Sequence, residues 1–297
     1  MHLRRSAKAA VLKGLTTRML AGSLATRGLL RGIKMEFDEE SLASFGGEIR
    51  PTALVSVDFD VTRPSRFDDN RKGTSALVEL AESHGIPITW AICGKTAVED
   101  RKAYNAILNS SGNHEIGVHT YSHIDATTAT KDEFREDVTR CIRTLELDAP
   151  ATFIFPWNKE AHFDVLEELG FEAFRGKKRV IGLPVRYQGL WNMRPVYYMD
   201  QKSQGAESMI NAYVDFCVKR AAFFHLWTHP WGLTMDGDTS RMSRTLDSVF
   251  AHIEDLRKKG RLTTLSLGDA AQVLNRQAGL DDKERDFERP AEARTSG

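Results

Sequence analysis

No stretch of this chain stays apolar for the roughly 20 residues that a bilayer-spanning helix requires, so a transmembrane anchor is not expected. Cysteine is scarce: Cys93, Cys141 and Cys217 lie far apart with no C-x-x-C pair, which suggests buried thiols rather than an oxidised framework. The 41 basic and 41 acidic side chains cancel, so no global charge recruits nucleic acid or another polyanion. Internal repeats and proline-rich linkers are missing, and nothing demands a second folded domain. A 41% hydrophobic fraction over 297 residues can still build a substantial core.

Acidic residues are also missing from positions 1–34, which carry eight Lys or Arg, from Arg4 to Lys34. With Val11, Leu12, Leu15, Met19 and Leu20 on one helical face, this stretch suits peripheral contact with anionic lipid. A targeting peptide and a flexible leader remain alternatives. A compact apolar core is missing, so a secretory signal is not expected, and the expected location is cytoplasmic, at the inner face of the membrane. Residues 1–49 therefore read as a basic extension with a polar lead-in, 50–280 as the folded domain, and 281–297 as a flexible charged tail.

Strand and helix signals alternate along 50–280. Thr52–Val57 and Ile86–Cys93 read as strands around a helix at about Gly73–Ser83. A helix near Glu99–Leu108 precedes the strand Ile116–Gly117–Val118. Thr130 and Glu133 have capping-box spacing and open a helix towards Leu147. Phe153–Phe155, Phe171–Phe174, the AAFFHLW run before His229 and Leu262–Leu265 read as further strands. Helices are expected at Ala161–Leu169, Ser208–Lys219, Arg241–Lys259 and Ala270–Arg276, with a basic loop over Gly176–Gly189. This order predicts an α/β parallel sheet or barrel, in which side chains at the carboxyl ends of the strands gather over one mouth.

The candidate chemistry sits at those ends. Asp58 and Asp60 end the first strand, in VSVDFD; His119 and His123 follow another, in GVHTYSH. Two imidazoles and one carboxylate are a minimal ligand set for a divalent metal, with positions left for water and substrate. A second carboxylate two residues away could act as a base beside that water. Trp157 and Trp231 follow two strand ends and could border a sugar or acyl group, although packing explains each almost as well. Asn158 and Arg63 are candidate substrate contacts. Lys177, Lys178 and Arg179 read as a solvated cluster, His225 as a packed histidine, and Tyr197, Tyr198, Phe216, Phe223 and Phe224 as hydrophobic filling.

At these residues the chain resembles the polysaccharide deacetylase family, the NodB-homology or carbohydrate esterase family four fold, over roughly residues 50–270. The resemblance implies an incomplete, distorted (β/α) barrel of the polysaccharide deacetylase type. It implies Asp58 as base, Asp60, His119 and His123 as metal ligands, and His229, in LWTHP, as acid, with Trp227 as a wall for a small acyl group. One divalent ion is implied; Zn is favoured by two imidazoles and a carboxylate, and Fe, Co, Mn or Ni use similar ligands. The family's third motif normally carries an arginine that holds the base. Here Ile154–Phe155–Pro156–Trp157–Asn158 lacks it, and Arg63, Arg66 or Arg175 is the candidate replacement. The aspartate that normally orients the acid histidine is not found either.

The implied activity is metal-dependent N-deacetylation of an acetylated sugar, a glycan, or a lipid- or nucleotide-linked glycan precursor. Hydrolysis of another small amide and a non-catalytic sugar-binding descendant are the competing readings. Removing Asp58 or His229 is expected to depress turnover more than folding.

Overall fold

Alternate residues of strand β2 (Thr52–Phe59) have different surroundings, and this sets the architecture. Val55, Val57 and Phe59 join a large apolar layer with helix residues such as Leu77, Phe134, Val138 and Phe250, while Leu54 joins a smaller cluster with Ala91, Ile154 and Ala173. A strand buried on both faces reads as an uninterrupted apolar run, as this one does. The computed structural model describes residues 36–44, 49–61, 63–234 and 237–280. The expectations for residues 1–35 and 281–297 fall outside them.

The strands are β1 (Glu36–Phe37), β2, β3 (Thr89–Ile92), β4 (Glu115–Val118), β5 (Thr152–Ile154), β6 (Ala173–Arg175), β7 (Val180–Ile181), β8 (Val185–Tyr187), β9 (Leu190–Asn192), β10 (Tyr197–Met199), β11 (Phe223–Thr228) and β12 (Thr263–Leu265). The helices are α1 (Glu39–Ser44), α2 (Phe67–His84), α3 (Gly94–Glu99), α4 (Arg101–Leu108), α5 (Lys131–Thr144), α6 (Phe163–Glu168), α7 (Glu207–Lys219), α8 (Ser240–Lys258) and α9 (Leu267–Gln277). The main sheet runs β10-β11-β2-β3-β4-β5-β6-β9-β8, with β12 also paired to β2. Its pairings are parallel except β8–β9.

The sheet must curl. Four spacings of about 4.8 Å separate β2 from β6, so a flat sheet would put Asp58 and Arg175 about 19 Å apart. Their side chains instead meet at 2.6 Å. The result is the expected incomplete, distorted (β/α) barrel, open along one side. Helix α9 closes its amino end: Leu267 N–H donates to Thr89 Oγ1 at 2.8 Å and Gly268 N–H to Glu115 Oε2 at 2.9 Å. Asp58 and His119 emerge at the other end.

Several elements differ from the sequence reading. Helix α2 starts at Phe67 rather than near Gly73, because Asp68 and Asp69 suit the positive end of a helix although the stretch has no apolar period. The expected loop over 176–189 contains β7 and β8, which are two or three residues long and so carry no readable period. Residues 36–44 are more than a polar lead-in: β1 pairs with β7, Phe37 meets Phe216 edge-on at 5.5 Å, and Arg194 donates to Asp38 at 2.7 Å. The capping box at Thr130 and Glu133 forms as expected, and the three cysteines are free and buried. Among the described residues, no helix is long and apolar enough to cross a membrane.

Gly73 is the tightest point between α2 and the mouth of the barrel. A Cβ there would lie 1.8 Å from the Pro230 carbonyl oxygen, directly after His229. Gly73→Ala is therefore expected to destabilise by about 1–3 kcal/mol despite the better helix propensity of alanine. Urea unfolding checks this, and an unchanged midpoint would show that the Pro230 turn can move aside.

Candidate active site

Inward-facing positions of β2 continue past its end, so Ser56, Asp58 and Asp60 stand in a row towards the mouth. Strand β4 delivers His119 beside them, and the following turn brings in His123. The turn needs left-handed backbone at Thr120 (φ 59°) and His123 (φ 61°). It is braced by Asp137 of α5, which accepts from Tyr121 N–H at 2.7 Å, Ser122 N–H at 3.0 Å and Ser122 Oγ at 2.6 Å. Gly94 N–H donates to the Thr120 carbonyl at 3.0 Å, and a Cβ on Gly94 would strike the Tyr121 ring at 2.7 Å.

The donor atoms of Asp60, His119 and His123 all lie within 4.8 Å of one another. Further contacts fit this trio for a cation. His119 Nδ1–H donates to the Ile154 carbonyl at 2.7 Å, which leaves the Nε2 lone pair for a ligand. Burial, opposed by the neighbouring carboxylates, pushes His119 down to about 4, so the ring is neutral. His123 Nε2 lies 2.9 Å from Asp60 Oδ2, and its Nδ1 is buried with no partner. Trp231 Nε1–H donates to Asp60 Oδ1 at 3.1 Å and to the Asp60 carbonyl at 3.0 Å. Burial alone would raise Asp60, but His229, His123 and His119 outweigh it and hold the carboxyl well below its usual range.

Asp58 is gripped by Arg175 from β6, in two parallel hydrogen bonds of 2.6 Å. Of the three candidate replacements for the missing third-motif arginine, Arg175 is the one that touches the carboxylate. Arg63 and Arg66 are exposed, and Arg66 lies over the Trp231 ring at 4.4 Å. Burial raises the Asp58 carboxyl, yet the guanidinium charge and its hydrogen bonds win and hold it low. Arg175 also donates to Ser56 Oγ at 3.2 Å. Ser56 in turn donates to His225 Nε2 at 2.9 Å, because His225 Nδ1–H is committed to the Met193 carbonyl at 2.9 Å. Burial, assisted by Arg175, pushes His225 down to about 3, so it is a neutral packed histidine as expected. The sequence signal for Arg175 was a lone arginine ending an apolar run, Phe171 to Phe174, but its partner is 117 residues away.

His229 stands across the mouth, with Nε2 at 3.7 Å from Asp60 Oδ1 and 3.9 Å from Asp58 Oδ2. Its Nδ1 faces the Tyr198 hydroxyl at 3.3 Å. Tyr198 thus does more than fill a hydrophobic layer, which the neighbouring Tyr197 does. Trp227 stacks on Tyr198, with centroids 4.2 Å apart, and receives the Arg175 guanidinium at 4.0 Å. Trp227 therefore packs against both Tyr198 and Arg175. Trp231 lies 4.4 Å from the His229 ring. Trp157 meets His123 edge-on at 4.6 Å while 59% exposed, and both Trp157 and Asn158 are left-handed (φ 58° and 53°). Arg63 is joined to its surroundings through its carbonyl, which accepts from Arg66 N–H at 3.0 Å.

Residues 57–171 match the polysaccharide deacetylase family model. No curated protein matches by sequence. Among solved structures, a Mycobacterium smegmatis protein assigned as a polysaccharide deacetylase superposes with TM-score 0.61 at 18% identity, covering 78% of this chain and 93% of that one. A Pseudomonas aeruginosa PAO1 protein with the same assignment gives 0.60 at 15% identity, covering 80% and 98%. A PuuE allantoinase gives 0.58 at 15% identity, covering 78% and 92%. The match over residues 57–171 is to the polysaccharide deacetylase family, and the barrel shares the fold of these solved structures.

Proposed function

We propose that this protein is a metal-dependent N-deacetylase that hydrolyses an acetamido group on a glycan or glycan precursor. The observation that carries the reading is the convergence of Asp58, Asp60, His119, His123 and His229 on one mouth, with His229 Nε2 within 3.9 Å of both carboxylates. Asp60, His119 and His123 would hold the ion, with Zn preferred for two imidazoles and a carboxylate. A bound divalent ion would supply a Lewis acid that polarises the carbonyl and lowers the pKa of a water.

The remaining work falls to the chain. Asp58, kept ionised and oriented by Arg175, accepts the proton of the attacking water. His229 hands a proton to the departing nitrogen, which must leave as an amine. Among backbone donors after Pro156, those of Asn158 and Lys159 are taken by the carbonyls of Phe155 and Pro156. That leaves the Trp157 N–H as the oxyanion donor. The exposed face of Trp157 flanks the mouth and suits a sugar ring, with Trp231, Arg63 and Asn158 at its edge. The basic residues 1–34 support a cytoplasmic protein that touches an anionic membrane face.

Arg175 also weakens the reading of a non-catalytic descendant, which rested on the missing arginine. Another small amide could use the same residues, and the allantoinase shares the fold. Acetylated amino sugars, linear amides and cyclic amides are therefore tested together, with elemental analysis of the freshly prepared protein. The expected result is about one divalent ion per chain and release of acetate from the amino sugars alone, lost on chelation and restored by Zn. Acetate release that survives full chelation would sink the metal-dependent reading; turnover confined to cyclic amides would move the substrate class.

A further inference from the structure

The two carboxylate oxygens of Asp60 face different neighbours. Oδ2 lies 2.9 Å from His123 Nε2, while Oδ1 accepts from Trp231 Nε1–H at 3.1 Å. The same indole N–H reaches the Asp60 carbonyl at 3.0 Å, one residue beyond the end of β2.

We propose that Trp231 is a positioning residue for the metal ligands: its indole N–H occupies Oδ1 of Asp60, leaves Oδ2 as the ligand oxygen, and so sets how tightly the ion is held. This rests on the reading above that Asp60, His119 and His123 hold a divalent ion.

The direction of the contact is fixed by its chemistry. An indole nitrogen only donates, and carboxylate and carbonyl oxygens only accept, so no choice of tautomer enters. Sharing one N–H between Oδ1 and the Asp60 carbonyl keeps the side chain beside its own backbone and restricts its rotation. Without that donor, Oδ1 would be free to turn towards His229, whose Nε2 is 3.7 Å away, and Oδ2 would leave His123. The indole does for the carboxylate what the Ile154 carbonyl does for His119, which is to orient a ligand from behind. As a border to a sugar or acyl group, Trp231 therefore offers substrate its ring and not its N–H.

The indole is itself anchored. It follows Pro230, whose carbonyl abuts Gly73 of α2, in the short helical turn Pro230–Leu233, where Gly232 N–H donates to the His229 carbonyl at 3.0 Å. Thr234 ties the far side of the turn down: its hydroxyl donates to the Asp69 carbonyl at 3.1 Å, and its carbonyl accepts from Gln201 Nε2 at 2.7 Å. The ring meets the Arg66 guanidinium at 4.4 Å and the His229 ring at 4.4 Å. The turn after β11 thus carries the acid candidate and, two residues later, the group that holds a ligand at the end of β2.

The test reads Zn binding apart from turnover. Full-length wild type and Trp231→Phe, both stripped of metal, are titrated with Zn against a chromophoric chelator, and the Zn-loaded wild type is crystallised. Phenylalanine keeps an aromatic ring beside His229 and Arg66 and removes the donor; urea unfolding of the metal-free variant checks that it is folded. The Zn dissociation constant is expected to rise about 10–100-fold in Trp231→Phe. In the crystals Zn is expected on Oδ2, with Oδ1 still accepting from Trp231. An unchanged dissociation constant in the folded variant, or Zn bound through Oδ1, alone or with Oδ2, overturns the proposal. The crystal result decides it alone if the variant does not fold. A wild type that takes up no Zn removes the ligand set and the proposal together. If Zn binding depends on Trp231 while no acetylated amino sugar is hydrolysed, the proposal stands and the deacetylase reading is what fails.

Discussion

Asp58→Asn is expected to reduce kcat by about 10²–10⁴-fold, the contribution of a positioned base. It is also expected to cost about 3–5 kcal/mol of folding stability, because it leaves a buried guanidinium without its counter-charge. The loss of turnover expected on removing Asp58 is therefore accompanied by a loss of stability. Arg175 is only 1% exposed and makes two 2.6 Å hydrogen bonds to that carboxylate, so base and fold share one ion pair. Arg175→Met should destabilise comparably by stranding Asp58. The double variant, Asp58→Asn with Arg175→Met, removes both charges and should recover much of the stability and none of the turnover. Urea unfolding of the four proteins beside their acetate-release rates separates the effects. Strictly additive losses in the double variant would show that the pair is not coupled.

Acid should unfold the metal-free protein well above the carboxylate range. His119 and His225 start from 6.5 in the open chain and are pushed by burial to about 4 and about 3 in the fold. Between those limits the unfolded chain binds protons that the folded chain refuses, so stability rises with pH through the window and is lost as pH falls from 6.5 towards 4. The slope is about 1.4 kcal/mol per pH unit for each histidine. Asp58 and Asp60 have depressed folded values, so their contributions are present above 3.8 and disappear only below it, as pH falls through those lower values. Urea midpoints of chelated protein between pH 7 and 4 check this, with His225→Asn expected to remove about half of the slope. Zn should steepen the dependence further, since His119 binds it only as the neutral ring. A flat profile over that range would mean that both rings accept protons inside the fold.

The legible part of the site was the part encoded locally. Asp58 and Asp60 are two residues apart on one strand, so a single strand prediction puts both on the same face. His119 and His123 share one turn. His229 follows an apolar run that could only be an interior strand. The barrel was legible for the same reason: β2, β3, β4 and β11 are apolar runs separated by helices with caps, as at Thr130. Element ends were less so, and β7 and β8 are held by pairing with distant strands rather than by any period of their own.

Residue types, strand faces and element order, all properties of near neighbours in the chain, were settled by the amino-acid sequence alone: an α/β parallel sheet or barrel with carboxylates and imidazoles at the carboxyl ends of its strands. The choice of Arg175 over Arg63 and Arg66, and the placement of Tyr198 beside His229, were decided only by tertiary structure. Those contacts join β2 to β6 and β10 to the turn after β11, and they exist because the sheet closes on itself and brings together strands whose separation along the chain says nothing about their distance.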